Sequence, residues 1–320
     1  MLKLIKNEFI KIFKRKNIYI LLTIGILIIT CYNLFQKITN SNVDISKQYQ
    51  RAYTNDKMLL ENYNQLNHKE DYQDIIERIK LEEYANSNGI CYNILLNSEN
   101  SNAPLSKDAR ILLMKTFNNF DIIIIFIVVY LSSTIISEES NTGTIKYLLT
   151  KPHKRIKILM SKILTIILVT ALIVSFIVLF QYLLGGMLFG FDSYSLEAIR
   201  YNQYTQLIET MNLANYILLI TSSKMIMYIL LSLISLLFGI ITNNIALNIL
   251  VSLVIYIIST IGSLINDISK YLFIFNWDIS KYFFTTDILV KQSIFISFVT
   301  FLLIFLPLII IFKNKDIKNI

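Results

Sequence analysis

The segment Glu138-Glu139-Ser140-Asn141-Thr142-Gly143-Thr144-Ile145-Lys146-Tyr147-Leu148-Leu149-Thr150-Lys151-Pro152 decides how this chain is read. It is polar and basic, yet it lies between two runs apolar enough for a bilayer, residues 120–137 and 163–189. A bilayer core of ~30 Å takes about 20 apolar residues of helix. The segment therefore reads as a short loop at a membrane surface, within an inner stretch 138–162. Ile145, Leu148 and Leu149 fall at i, i+3 and i+4, one face of a short helix. Thr142 or Thr144 can cap the start of that helix, and Gly143 permits a sharp change of direction. Pro152 disfavours helix at Lys151 and helps to stop it.

Moving outward, composition points the same way. Hydrophobic residues make up 54% of the 320 and charged residues 16%, with a mean hydropathy of +0.55. A soluble domain carries about 25% charged residues. The expected fold is an all-α integral membrane protein with six spans: 18–35, 120–137, 163–189, 225–241, 245–265 and 294–312. The third is long enough to tilt, or to break near Gly185-Gly186. The fourth is drawn to leave Lys224 at its end, because a lysine at mid-helix would cost ~2.5–3.5 kcal/mol. Asn243-Asn244 forms the tight turn between spans four and five.

Basic residues set the expected orientation. Segments 1–17, 138–162 and 313–320 hold 15 of the 30 Lys and Arg against four acids, Glu8, Glu138, Glu139 and Asp316. The other 15 are spread over about three times that length. Positive-inside logic puts both termini in the cytoplasm of a cell-membrane protein. The same clustering beside apolar runs explains the net charge of +8 without nucleic acid as a partner. Residues 1–17 read as a basic amphipathic interfacial helix, with Leu2, Ile5, Phe9, Ile12 and Phe13 at helical spacing. An uncleaved first span follows, since no small-residue cleavage site precedes Cys31.

The outer parts are less specific. Residues 36–119 read as a helical extracytoplasmic insertion, with an amphipathic stretch near 57–85 and a loop around Pro104. The outer loop 190–224 contains a surface or re-entrant helix over 206–223. Gly186 and Gly190 suit helix packing or a helix-ending turn. The outer segment 266–293 holds Tyr271, Phe273, Phe275, Trp277, Tyr282, Phe283 and Phe284, which read as an interfacial aromatic belt.

Missing patterns narrow the chemistry. Two cysteines and two histidines give neither a disulfide framework nor metal spacing. No phosphate-binding Gly-x-x-x-x-Gly-Lys-Ser/Thr loop occurs, so the chain is not read as an ATPase or as any other enzyme. The spans are expected to carry no ionisable side chain, which disfavours an ion-driven carrier.

Glu139-x-x-x-Gly143-Thr144-Ile145-Lys146-x-Leu148-Leu149-Thr150-x-Pro152, followed by Arg155, Ile158, Leu159 and Ser161-Lys162, resembles the cytoplasmic loop of type-2 ABC-exporter permeases of the bacitracin, lantibiotic and sodium-export types. The resemblance covers about 2–35 and 118–312. It implies a half-transporter that dimerises with a second copy or a paralogue, carries no cofactor itself, and has a short re-entrant segment before the last span where the aromatic residues of 266–293 lie. ATP would bind a separate ATPase subunit, docked on Glu138, Glu139, Gly143, Thr144, Ile145, Leu148, Leu149, Pro152 and Arg155. The acidic pair could meet Arg155 or a basic residue of the ATPase. Uncharged spans suit a hydrophobic or amphipathic cargo such as an antimicrobial peptide. The alternative is a non-transporting membrane scaffold or sensor that uses the 36–119 insertion.

Overall fold

The computed structural model describes residues 1–40, 53–60, 69–88, 109–143, 155–191, 197–202, 207–262, 278–279 and 287–314. The helices are α1 (Leu2–Phe13), α2 (Lys16–Asn40), α3 (53–60), α4 (Lys69–Asn88), α5 (Ala109–Asn141), α6 (Arg155–Phe189), α7 (Leu213–Thr242), α8 (Ile245–Gly262) and α9 (Asp287–Asn314). Antiparallel strands β1 (Glu197–Asn202) and β2 (Leu207–Asn212) join α6 to α7. Long Ile- and Val-rich runs are helical here because a backbone in lipid must satisfy its own hydrogen bonds. Among the described residues α2, α5, α6, α7 and α9 are long and apolar enough to cross a bilayer. The chain is an all-α multi-pass membrane protein. Helix α8, at 18 residues, is apolar and rises ~27 Å. Residues 263–265 of the expected fifth span lie outside the described residues.

Helix α5 is the hub. It packs against α7, α6, α8 and α2, with Ile124, Ile125, Val129 and Ile136 fully enclosed. By contrast α2 and α9 are peripheral and expose Ile24, Leu27, Phe295 and Phe298. Such faces match lipid in polarity. The expected turn between α7 and α8 is present. Asn243 adopts the left-handed conformation (φ 54°) that Asn tolerates, and the Asn244 side chain accepts from Ala246 N–H to cap α8.

Three features revise the sequence reading or choose between its alternatives. First, α7 starts at Leu213, capped by Asn212 Oδ1 accepting from Ala214 N–H, and runs on unbroken. Residues 213–223 are thus the first turns of that span rather than a separate surface helix. Second, 197–202 and 207–212 pair as antiparallel strands, the β1–β2 hairpin, which the mixed polar sequence did not announce. Its Ile199 and Ile208 pack with Leu81 and Tyr84 of α4 into a small second core. Third, α6 passes through Gly185 and Gly186 without a break. A Cβ at Gly185 would stand 3.0 Å from Ala109 Cα, so this glycine lets α5 approach. Gly190, at φ +89°, ends the helix with its N–H donated to Gly186 O, so the helix-ending turn is the reading found.

Candidate functional site

At the end of the bundle that carries α1, four charges form a closed square. Lys162 Nζ lies 2.9 Å from Glu8 Oε2 and 2.7 Å from Glu139 Oε2. Lys11 Nζ lies 3.0 Å from Glu8 Oε1 and 2.7 Å from Glu139 Oε1. Each carboxylate spans both ammonium groups, and Lys162 has no exposed surface. The square is built by α1 lying across the bundle. Ile12 is buried beneath it, Glu8 and Lys11 stand at i, i+3, and α1 packs on α6, which brings Lys162. Burial would push the Glu8 carboxyl up, but Lys162 and Lys11 together hold it below its ordinary value. Burial likewise works against the Lys11 ammonium, and the two carboxylates hold it above its ordinary value. Beside the square, Arg15 pairs with Glu138 at 3.0 Å. Lys11 of α1, Arg15 between α1 and α2, and Lys162 of α6 thus fasten the acidic end of α5.

The acidic pair Glu138 and Glu139 therefore meets bases from within this chain, Arg15, Lys11 and Lys162. Arg155, expected near that pair, donates from Nη1 to the carbonyl of Lys313 at 2.9 Å and ties the start of α6 to the end of α9. Thr142 closes α5, its hydroxyl donating to Glu138 O at 2.8 Å, and the helix that it or Thr144 was expected to cap lies outside the described residues. Gly143 has φ +69°, the sharp change of direction expected of it. Thr144, Ile145, Leu148, Leu149 and Pro152 lie outside the described residues. Gly143 and Arg155 are the two points from which that loop departs and to which it returns.

A second polar layer lies at the opposite end. Lys224 Nζ bridges Asp121 Oδ2 at 2.6 Å and Asp278 Oδ2 at 2.7 Å, and the Tyr228 hydroxyl donates to Asp121 Oδ1. All four side chains are buried. Beside them, Asn33 Nδ2 donates to Gln181 Oε1 at 3.0 Å between α2 and α6. The rise from Asp121 to Glu139 along α5 is ~27 Å. The two layers are thus separated by about the thickness of a bilayer's hydrocarbon core.

This layer corrects the sequence reading. Asp121 is the second residue of the span drawn as 120–137, and Lys224 is internal to α7. The expectation of charge-free spans does not hold, and with it goes the argument drawn from it against ion-driven transport. Lys224 and Tyr228 share a helix face at i, i+4, a legible signal. Nothing local pointed to Asp278 as their partner.

Fold and layers together define a polytopic helical membrane protein with a polar belt at each end of its bundle. The chain belongs to a family described as protein of unknown function (DUF2705), whose model matches residues 87–318. The match takes in Asp121, Glu139, Lys162, Lys224 and Asp278, and leaves out Glu8, Lys11 and Arg15. No curated protein matches the chain.

Proposed function

We propose that this chain is the permease subunit of an ATP-driven exporter in the cell membrane, with the α1 end facing the cytoplasm. A separate ATPase subunit docks on the loop between Gly143 and Arg155, and a second copy or a paralogue completes the transporter. The observation that carries this reading is the charge square. A loop that receives mechanical work must hang from a rigid base, and here both ends of the loop are anchored. Its start follows α5, held by Glu138 and Glu139 to α1 and α6. Its return, Arg155, is fixed to α9. Movement of the loop is thereby passed to four helices at once. The loop's sequence supports the same reading, since Ile145, Leu148 and Leu149 supply the apolar face that helix-in-groove recognition uses. The exported compound is read as hydrophobic or amphipathic, an antimicrobial peptide being one such cargo, on the loop's resemblance to permeases of the bacitracin and lantibiotic types and not on the spans, which carry Asp121 and Lys224.

The test is the double substitution Leu148→Asp, Leu149→Asp in the full-length chain. Loss of ATPase association, with the permease still inserted and folded, is the expected result. Retained association would overturn the reading.

The small core formed by α4 and the β1–β2 hairpin favours a second reading, a membrane scaffold or sensor that binds its partner through that unit. Under it the double substitution leaves every association intact.

A further inference from the structure

The bases around α1 divide into two sets. Lys11 and Arg15 are engaged by Glu8, Glu139 and Glu138. Lys3, Lys6, Lys14 and Lys16 are exposed, and among the described residues no acceptor meets their ammonium groups. Residues 1–40 contain a single acid, Glu8, and it is buried in the charge square. The square also fixes how α1 is turned. Glu8 and Ile12 face the bundle. Lys3, Lys6, Ile10 and Lys14 follow one another at i, i+3, i+7 and i+11, so they share the opposite face. Ile10 on that face and Leu2 beside it are exposed. Depth follows from the fold. Helix α2 starts at Lys16, just after α1 ends, and Lys16–Ile38 is apolar enough to cross a bilayer. The square that pins α1 stands ~27 Å along α5 from the Asp121 layer, which puts α1 at one edge of the hydrocarbon core. Tyr19, whose hydroxyl donates to Phe13 O at 2.8 Å, marks the same level, where tyrosines gather at membrane boundaries.

We propose that the Lys3–Lys6–Lys14 face of α1, with Lys16, binds the head groups of anionic phospholipids in the leaflet on the α1 side. Charge complementarity argues for that occupant: four ammonium groups stand at head-group depth with no acid among them. Each lysine near an anionic surface favours binding about fivefold. Long lysine stems carry the charge out to phosphate while Leu2 and Ile10 rest against the apolar boundary. The depth favours lipid over a soluble acidic partner. Lys11, Arg15 and Lys162 take no part, because the bundle's own carboxylates hold them. The proposal does not depend on the export reading.

The test uses the full-length protein in phosphatidylcholine nanodiscs that carry a trace of photoreactive lipid. That lipid is phosphatidylglycerol or phosphatidylcholine, with a diazirine near the carboxyl end of one acyl chain. After illumination, label on residues 1–19 is compared with label on α9 by mass spectrometry. Relative to α9, phosphatidylglycerol is expected to label 1–19 at least about tenfold more than phosphatidylcholine does. Salt at about 1 M should abolish that difference. Lys3→Gln, Lys6→Gln, Lys14→Gln and Lys16→Gln combined bring the two lipids to within about twofold. Phosphatidylcholine labelling of 1–19 stays as it was and shows α1 still in place. The four corresponding arginine substitutions keep the preference, because they keep the charge. If the glutamine variant displaces α1, Lys14→Gln alone decides, with an expected loss of about fivefold. Equal labelling of 1–19 by both lipids overturns the proposal. So does a preference that survives the glutamine variants, or one that lies on other basic segments and spares 1–19. In native membranes, these lysines crosslinked to an acidic protein and shielded from both lipids would identify a different occupant and also overturn it.

Discussion

Lys162 sits without exposed surface between Glu8 and Glu139, and its removal has a defined cost. Lys162→Met leaves two buried carboxylates with Lys11 alone, which is 43% exposed at its side chain. Loss of one partner from a buried pair costs about 3–5 kcal/mol. A clear fall in thermal stability in detergent is therefore expected, read by tryptophan fluorescence, and largely recovered when Glu8→Gln and Glu139→Gln are added. The pH dependence has a worked sign. The Glu8 carboxyl lies below its unfolded value of 4.5, so its contribution is present above that pH and fades as pH falls through the folded value. The Lys11 ammonium lies above 10.5, so its contribution is present below that pH and fades as pH rises through the folded value. Docking of α1, followed by hydrogen exchange of its amides, should thus hold near neutrality and weaken in acid, with a flatter acid limb in Glu8→Gln. In α4, burial and the neighbouring Asp56 push the Glu82 carboxyl up to about 7, against the opposing pull of Arg78. The α4–hairpin unit should then lose stability as pH rises from 4.5 through about 7, and Glu82→Gln should remove that loss.

Among the elements, helix ends and crossings rest on a few small residues. A Cβ at Gly186 would stand 1.7 Å from the Phe191 ring, which folds back over the end of α6. Gly186→Ala must therefore expel Phe191 from its place beside Tyr182, while Gly190→Ala strains a backbone at φ +89°. Gly190→Ala is expected to destabilise by about 1–3 kcal/mol, read as a lower melting temperature, and Gly186→Ala by less, because the exposed Phe191 ring can swing away. At this scale the sequence was legible where a pattern is local. The basic amphipathic α1, the apolar runs, the Asn243-Asn244 turn and the Gly143 bend were all visible in short windows. The continuity of α7 was not, because Asn212 to Lys224 mixes polar and apolar residues, and hydropathy alone cannot say that the same helix continues past them. The hairpin was equally hidden, since its Ile199 and Ile208 gain their meaning only from Leu81, more than a hundred residues earlier in the chain.

For the molecule as a whole, two polar belts ~27 Å apart hold a helical bundle whose hub is α5. Half of the candidate site was readable as composition: an acidic pair, then glycine, then apolar residues at helical spacing. The partners of that pair were not, because Lys162 and Glu8 meet across 154 positions of sequence and only the crossing of α1 over α6 brings them together. The same holds for Asp121, read as part of an apolar span until Lys224 and Asp278 were seen around it. The export reading turns on this arrangement. If α1, α5 and α6 form the base that receives work from an ATPase, the intact chain must hold that ATPase in its own membrane. The most direct measurement is a mild-detergent pull-down of the tagged chain from native membranes, with crosslinking in place and mass spectrometry of what accompanies it. A stoichiometric soluble protein bearing a phosphate-binding ATPase loop, lost in the Leu148→Asp, Leu149→Asp variant, is the predicted result. A chain recovered alone, or only with partners on the α4 side, would contradict the account.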